Sequence, residues 1–501
     1  MNEKIFSIIK KKMSKLNEDV LILVLEEVKK DKKSLYSCLF VNRVWCKATL
    51  PILWKNPNLY CKSNKLFFNT LLLHLSEESK DNLKNHGIEP FKEIYKRPLF
   101  HYIYFWKHLN LHSIDITFNS RTIMKNIGDF KWNIMRNEIL NLLINRNSSY
   151  THLYIHSEFD YQLYNNPGVK DCFLRLQHVS CGDNTKQHIL EGLASICKSI
   201  KSLRIDIVMT DKNSNPGLIK LIEAQNNLNV VNFDRCRNDN SNEIYRKTLE
   251  ESLIKNADTI QNLTIKWKPI TNMLLHLVNL ISLDINLSFG NPLNHSFDIN
   301  LENVNLPFLK ILRTHRVPSR NLVSLVENTN GSLIEINARN ANLSGKFIQA
   351  ICNNCPKIEY LRLSIKDNIS ELGKLLISCK CLKGLYIFTD ALDESNWDEL
   401  IDTLIQFSPI NLYKFKFTSI KNLKLESLKF FLDNWEKRHS MLLQIVLKES
   451  LSMFMGSLGR EQKQQQQQKN LLEEYKGKGI IKNYHFSGEF EDFEWIQKKY
   501  L

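Results

Sequence analysis

Cys352-x-x-Cys355 and Cys379-x-Cys381 are the residues whose types and spacing most directly suggest chemistry, because four thiolates can hold a tetrahedral zinc ion. Two of the four, Cys355 and Cys379, also stand three residues before the apolar residues Ile358 and Leu382 of a recurring frame, as Cys197 does before Ile200. That shared position explains them as structural better than a metal site does, and no metal is expected. His101, His108 and His112 lie among Tyr102, Tyr104, Phe105 and Trp106, with no acidic or cysteine partner at a recognisable ligand spacing. The chain has no glycine-rich phosphate loop, nucleophile elbow or histidine-glutamate zinc helix. With only 16 glycines in 501 residues, few loops could approach a cofactor closely. A non-catalytic protein without a cofactor is the expectation.

The frame itself is Leu-x-x-Leu-x-Leu. It recurs at Ile200/Leu203/Ile205, Leu228/Val231/Phe233, Ile260/Leu263/Ile265, Leu280/Leu283/Ile285, Ile358/Leu361/Leu363, Leu382/Leu385/Ile387 and Leu412/Phe415/Phe417. Weaker copies are Leu309/Leu312 and Leu333/Ile336/Ala338, and Leu111/Ile114/Ile116, Tyr150/Leu153/Ile155 and Phe173/Leu176/His178 extend the pattern toward the N-terminus. From Leu203 to Phe415 the middle positions are 20 to 32 residues apart, the period of leucine-rich repeats. In such a repeat a short strand points alternate residues inward and a return segment leads to the next strand. The returns at 185–196, 242–255, 345–352, 370–378 and 395–407 carry apolar stripes at helical spacing. The expected fold is therefore α/β, a curved solenoid with parallel strands on its concave side and helices on its convex side. The cysteines before the frames resemble the cysteine-containing class of leucine-rich repeat, and Cys236 falls on the repeat's Asn/Cys position.

Ahead of the repeats, residues 16–57 read as three short helices. Asn17 can cap the first, whose Val20, Leu21, Val24, Leu25 and Val28 recur at helical spacing. The second spans Lys33 to Phe40; the third starts at Asn42, runs through Trp45 and ends near Pro51. A unit of about forty residues buries little by itself. The segment resembles an F-box in its Leu16 start, Ser34-Leu35-x-x-Cys38, Val41-Asn42-Arg43-x-Trp45 and the Pro51-Ile52-Leu53-Trp54 exit. F-boxes carry a proline after the first leucine; here Asn17 stands there.

The resemblance implies a substrate receptor of an SCF-type cullin–RING ubiquitin ligase. Leu16, Val20, Leu21, Leu35, Val41, Trp45, Pro51 and Trp54 would then dock a Skp-type adaptor. The repeats would hold a target protein, through residues on the concave strand face such as Arg204, Asp284, Arg362, Tyr386 and Phe388. Tyr386 and Phe388, side by side on one strand, are the nominated anchors, as exposed aromatics dominate interface energetics. The alternatives are a leucine-rich-repeat scaffold whose N-terminal helices are only a cap, and a basic solenoid that binds nucleic acid.

Net charge is +15, from 68 Lys and Arg against 53 Asp and Glu. The strand positions facing away from the core mix signs, which weighs against nucleic acid. Eleven scattered cysteines suit reduced thiols, and the N-terminus lacks the apolar run of a signal peptide, so the expected location is cytoplasmic or nuclear, without a membrane. The domain reading is F-box 14–57, helical linker 58–105, repeats 106–460, a glutamine-rich segment 461–469 expected as loop or frayed helix, and a cap 470–501 with a strand from Gly479 and a closing helix from Phe493.

Overall fold

The computed structural model describes residues 17–29, 31–57, 64–88, 98–119, 128–156, 159–160, 168–207, 214–234, 243–287, 301–342, 344–365, 369–389, 394–419, 423–436, 438–447 and 458–486. Leu16, Cys236 and the closing helix from Phe493 lie outside them. The chain divides into two compact units, Met1–Val208 with Lys212–Leu228, and Asn229–Leu501 with Met209–Asp211.

In the first unit, α1 (Glu18–Val28), α2 (Lys32–Cys38) and α3 (Arg43–Lys55) precede α4 (Asn64–Leu73) and α5 (Glu77–Asn85). The apolar stripe of α4 and the turn after it is core, with Phe68, Leu71, Leu72 and Leu75 all buried. A 3-10 turn at Tyr102–Phe105 leads to β1 (His108–Asn110), α6 (Leu111–Asn119), α7 (Asp129–Leu143), β2 (His152–Tyr154), α8 (Val169–Phe173), β3 (His178–Gly182), α9 (Gln187–Ile196), β4 (Ser202–Asp206) and α10 (Pro216–Glu223). β1 to β4 pair in parallel, so that Leu109, Leu153, Val179 and Leu203 form one buried row. Each such side chain is worth about 1.5–3 kcal/mol relative to exposure.

Two of the weak frames are corrected here. Leu111/Ile114/Ile116 is helix, since apolar residues three apart fit α6 as well as a strand frame, and Asn110 Oδ1 accepts from Ser113 N at 2.8 Å to start the helix. The frame at Phe173/Leu176/His178 is shifted: Phe173 belongs to α8, and the inward residues of β3 are Val179 and Cys181.

The second unit runs β5 (Val230–Asp234), α11 (Glu243–Ile254), β6 (Asn262–Ile265), α12 (Met273–His276), β7 (Ser282–Asn286), β8 (Ile311–His315), α13 (Ser319–Glu327), β9 (Glu335–Asn342), α14 (Gly345–Asn354), β10 (Tyr360–Ser364), α15 (Ile369–Ser378), β11 (Gly384–Thr389), α16 (Glu394–Phe407), β12 (Lys414–Ser419), α17 (Leu425–Asp433), β13 (Met441–Leu447), α18 (Leu458–Gly477) and β14 (Ile481–Phe486). Every neighbouring strand pair is parallel. The middle residues of the repeat frames are direct partners: Val231, Leu263, Leu283, Leu312, Ile336, Leu361, Leu385 and Phe415, with Leu443 added by β13. Backbone bonds continue the repeat before each strand, as in Lys310 N to Ile281 O, Ile334 N to Lys310 O and Glu359 N to Ile334 O, each 2.8 Å.

The glutamine-rich segment is also corrected: 461–469 is continuous helix within α18. Gln468, Leu472 and Tyr475 recur at helical spacing and are buried, and Gln468 Nε2 donates to the Leu423 carbonyl at 2.6 Å. A buried amide with a partner holds the low-complexity stretch in the fold. Among the described residues no helix is long and apolar enough to cross a membrane.

Candidate functional site

Two of the three N-terminal helices, α2 and α3, are set by side-chain caps. Asp31 accepts from Lys33 N at 3.1 Å and from Ser34 Oγ at 2.5 Å, and the Ser34 bond leads in holding its carboxyl below the ordinary range. Asn42 Oδ1 accepts from Val44 N and Trp45 N at 2.9 and 3.0 Å, starting α3 where the sequence places it. Asn17 occupies the N-cap position of α1 but makes no side-chain cap bond. α3 does not stop at Pro51; it continues to Lys55, because Leu50 and Leu53 on either side of the proline are buried. Only one backbone donor is missing at Pro51.

Leu21, Leu25, Leu35, Trp45, Ala48 and Leu53 form the core of this unit, with Val41 and Trp54 packed partly against it. Trp54 stacks on Tyr102, ring centroids 4.6 Å apart, and Lys107 N donates to the Lys55 carbonyl at 2.9 Å, so α3 is tied to the start of the strands. Of the sequence-derived adaptor residues, Val20 and Pro51 are exposed and Val41 and Trp54 half-buried. Leu21, Leu35 and Trp45 are a correction: they face inward, where they hold the helices together. What faces outward is a second apolar set, Val20, Leu23 and Val24 on α1, Phe40 in the turn after α2, and Val44 on α3, with Leu23 67% and Phe40 84% exposed. Leu23, Phe40 and Val44 were missed, although a first helix reading VLILVL is apolar on more faces than one core can cover.

The sheet face opposite the buried rows carries the sequence-derived target residues. Arg204 is exposed there in the first unit and Asp284 half-buried in the second. Tyr386 and Phe388, nominated as exposed anchors, are buried, 4% and 7% exposed, and so is Arg362 at 1%. Parallel strands about 4.8 Å apart bring side chains of one row into contact. The Tyr386 ring lies between the Arg362 guanidinium, 3.9 Å from its centroid, and the Lys416 ammonium, at 4.6 Å. Its hydroxyl meets Arg362 Nη2 at 3.1 Å and Thr418 Oγ1 at 3.0 Å.

The histidines are not gathered into one cluster. His101 stacks on Tyr104, and His112 lies 5.2 Å from His156, which itself bonds Asp115 at 2.7 Å beside Arg136. His108 instead begins a ladder, stacking on His152 at 3.7 Å, which stacks on His178 at 4.1 Å, one imidazole from each of β1 to β3 in register. Burial leads in pushing His108 down to about 4 and His152 to about 3, with like charges from Lys55 and neighbouring imidazoles adding to it. The frame Tyr150/Leu153/Ile155 stands where the sequence places it, around His152, but the ladder was missed because the frames for β1 and β3 were misplaced by a few residues.

Cys197, Cys355 and Cys379 are buried, and burial raises each thiol to about 12. Cys197 Sγ donates to the Phe173 carbonyl at 3.4 Å, a link from one repeat to the previous one. Among the described residues no three His, Cys, Asp or Glu side chains are grouped as a metal site.

Comparison with known proteins finds no family model that matches this chain and no curated protein that matches it.

Proposed function

We propose that this protein is a substrate receptor of an SCF-type cullin–RING ubiquitin ligase, its N-terminal helices docking a Skp-type adaptor and its strand face holding a target protein. One observation carries the reading: a three-helix unit with a complete core of its own still presents Val20, Leu23, Val24, Phe40 and Val44 to solvent. Several large apolar side chains left exposed on one small helical unit are what an interaction surface supplies. The reading also rests on the resemblance of residues 16–57 to an F-box and on the stacked parallel repeats behind it.

The mechanism is positioning. The receptor forms no covalent bond; it binds adaptor and target at once and raises the effective concentration of a target lysine near the charged conjugating enzyme. An intracellular site, cytoplasmic or nuclear, follows from that role.

The test is co-purification of the full chain with a Skp-type adaptor and a cullin. Stoichiometric recovery, lost in the Leu23→Glu, Phe40→Glu double variant with thermal unfolding unchanged, is expected. A folded wild-type chain that recovers neither partner would leave a leucine-rich-repeat scaffold with the helices as a cap. Trp45→Ala is a poor probe of docking, since it empties the core and costs about 3–5 kcal/mol of stability.

A further inference from the structure

We propose that His108 and His152 in the first unit form a binding site for a divalent transition-metal ion of the zinc class. The inference stands apart from the ligase reading, since the site needs neither adaptor nor target.

The site is a product of register. β1 and β2 pair so that His108 and His152 are direct partners, and their rings stack with centroids 3.7 Å apart and planes 14° from parallel. Each ring has its Nδ1 at a neighbour: His108 Nδ1 lies 3.5 Å from the Asn56 amide nitrogen, and His152 Nδ1 2.9 Å from the Thr151 hydroxyl. That leaves Nε2 as the ligating nitrogen of both rings. A metal on Nε2 requires the proton on Nδ1, and both neighbours can accept a hydrogen bond from it, the hydroxyl as it stands and the amide through its oxygen after a flip. Such partners fix the tautomer and orientation of a metal-bound imidazole. Both histidines are half-buried, so an ion can reach them from solvent.

Spacing and donor type choose the ion. Two nitrogens bound tetrahedrally at zinc distances sit about 3.3 Å apart. The rings are spaced close to that, so a small rotation of each side chain lets the two lone pairs converge. Imidazole suits zinc, copper and nickel, whereas magnesium and calcium take oxygen ligands. The ladder is a column in which one ion reaches two neighbouring rings but not a third, and among the described residues no three side chains are grouped as a metal site. Of the two neighbouring pairs, His108 with His152 is the tighter, against 4.1 Å for His152 with His178. Water fills the remaining coordination positions. Lys55 bears on both rings as a like charge and opposes a cation, so the ion is held exchangeably rather than permanently. Once bound, it clasps β1 to β2 beside the end of α3, where Asn56 is the C-cap.

The test uses the full chain, its reactive thiols capped with iodoacetamide and its metals removed by chelator, titrated calorimetrically with zinc(II) and separately with nickel(II). One equivalent of zinc is expected at the pair. In His108→Gln and in His152→Gln that equivalent should bind at least about tenfold more weakly, the loss typical even for a residue that only orients a ligand, while His178→Gln keeps it. Zinc should also raise the urea midpoint of the wild type and leave those of the first two variants unchanged, because an ion that binds only the folded chain stabilises it. Should a variant unfold, diethylpyrocarbonate modification of the wild type, mapped by mass spectrometry, decides instead: zinc is expected to protect His108 and His152. Zinc binding unaltered in both variants, which would assign the ion to other histidines or thiols, its loss in His178→Gln, or no protection of the two histidines would each overturn the proposal.

Discussion

The Arg362 guanidinium lies over the Tyr386 ring, 3.9 Å from its centroid, and donates to its hydroxyl at 3.1 Å. The same hydroxyl meets Thr418 on the next strand, so one tyrosine ties β10, β11 and β12 together on the face away from the main core. Tyr386→Phe keeps the ring and removes both bonds. It is expected to cost about 1.5–3 kcal/mol, the range for hydrogen bonds involving a charged group, read as a lower denaturation midpoint. A midpoint unchanged from wild type would mean that the cation–ring contact alone holds the row.

Glu250 is a buried carboxylate on α11 that accepts from Trp267 Nε1 at 2.8 Å, Ile270 N at 3.0 Å, Thr271 N at 2.7 Å and Thr271 Oγ1 at 2.6 Å. It fixes the segment after β6 by supplying acceptors that no neutral side chain of that size can match. In Glu250→Gln the amide nitrogen faces donors and the charge is gone. A loss of about 3 kcal/mol is expected, with a red shift of Trp267 fluorescence as water reaches the indole. Wild-type stability together with an unshifted spectrum would rule this clamp out.

The histidine ladder makes the first unit sensitive to acid. His108 and His152 have folded-state values of about 4 and about 3, and His178 is also lowered, by burial and then by Lys201. An unfolded imidazole titrates near 6.5. Between that value and the folded ones the unfolded chain binds more protons, so the stability is fully present above pH ~6.5 and is lost as pH falls toward 4. Urea midpoints of wild type and of His152→Gln between pH 7.5 and 4.5 check this; the variant should show the shallower decline. Parallel curves would remove the ladder as the cause.

Thiol reactivity should follow burial. Cys197, Cys355 and Cys379, each raised to about 12, carry almost no thiolate at pH 8, whereas Cys381 is exposed. Mass-spectrometric mapping after brief iodoacetamide treatment of the native protein should find Cys381 labelled and those three protected until denaturant is added. Early labelling of Cys379 would show that its repeat opens far more readily than its packing implies.

Much of the second unit was legible because its signal is periodic. Leu263, Leu283, Leu361 and Leu385 are each flanked by apolar residues at a fixed spacing, and stacking identical frames leaves one register that buries them all. The helices at 345–354 and 369–378 were equally readable from their stripes. Where two structures share a spacing, the sequence misled: Leu111 and Ile114 suit a helix as well as a strand, and glutamines 464–468 give no stripe of their own yet are carried in α18 by Gln468, Leu472 and Tyr475.

For the candidate surfaces the division is sharper. The residue types at the F-box-like segment and on the strand face follow from the sequence, including which face of each strand Arg362 and Tyr386 occupy. Which of them reaches solvent is a tertiary matter. Leu21, Leu35 and Trp45 turn inward because three short helices must share one core, and Phe40 is left outside by the turn that joins two of them. Tyr386 is closed off by neighbours 24 and 30 residues away in sequence, Arg362 and Lys416, that only strand pairing brings into contact with it. Periodicity along the chain specifies a face; exposure on that face depends on residues remote in sequence, and only the packed structure sets it.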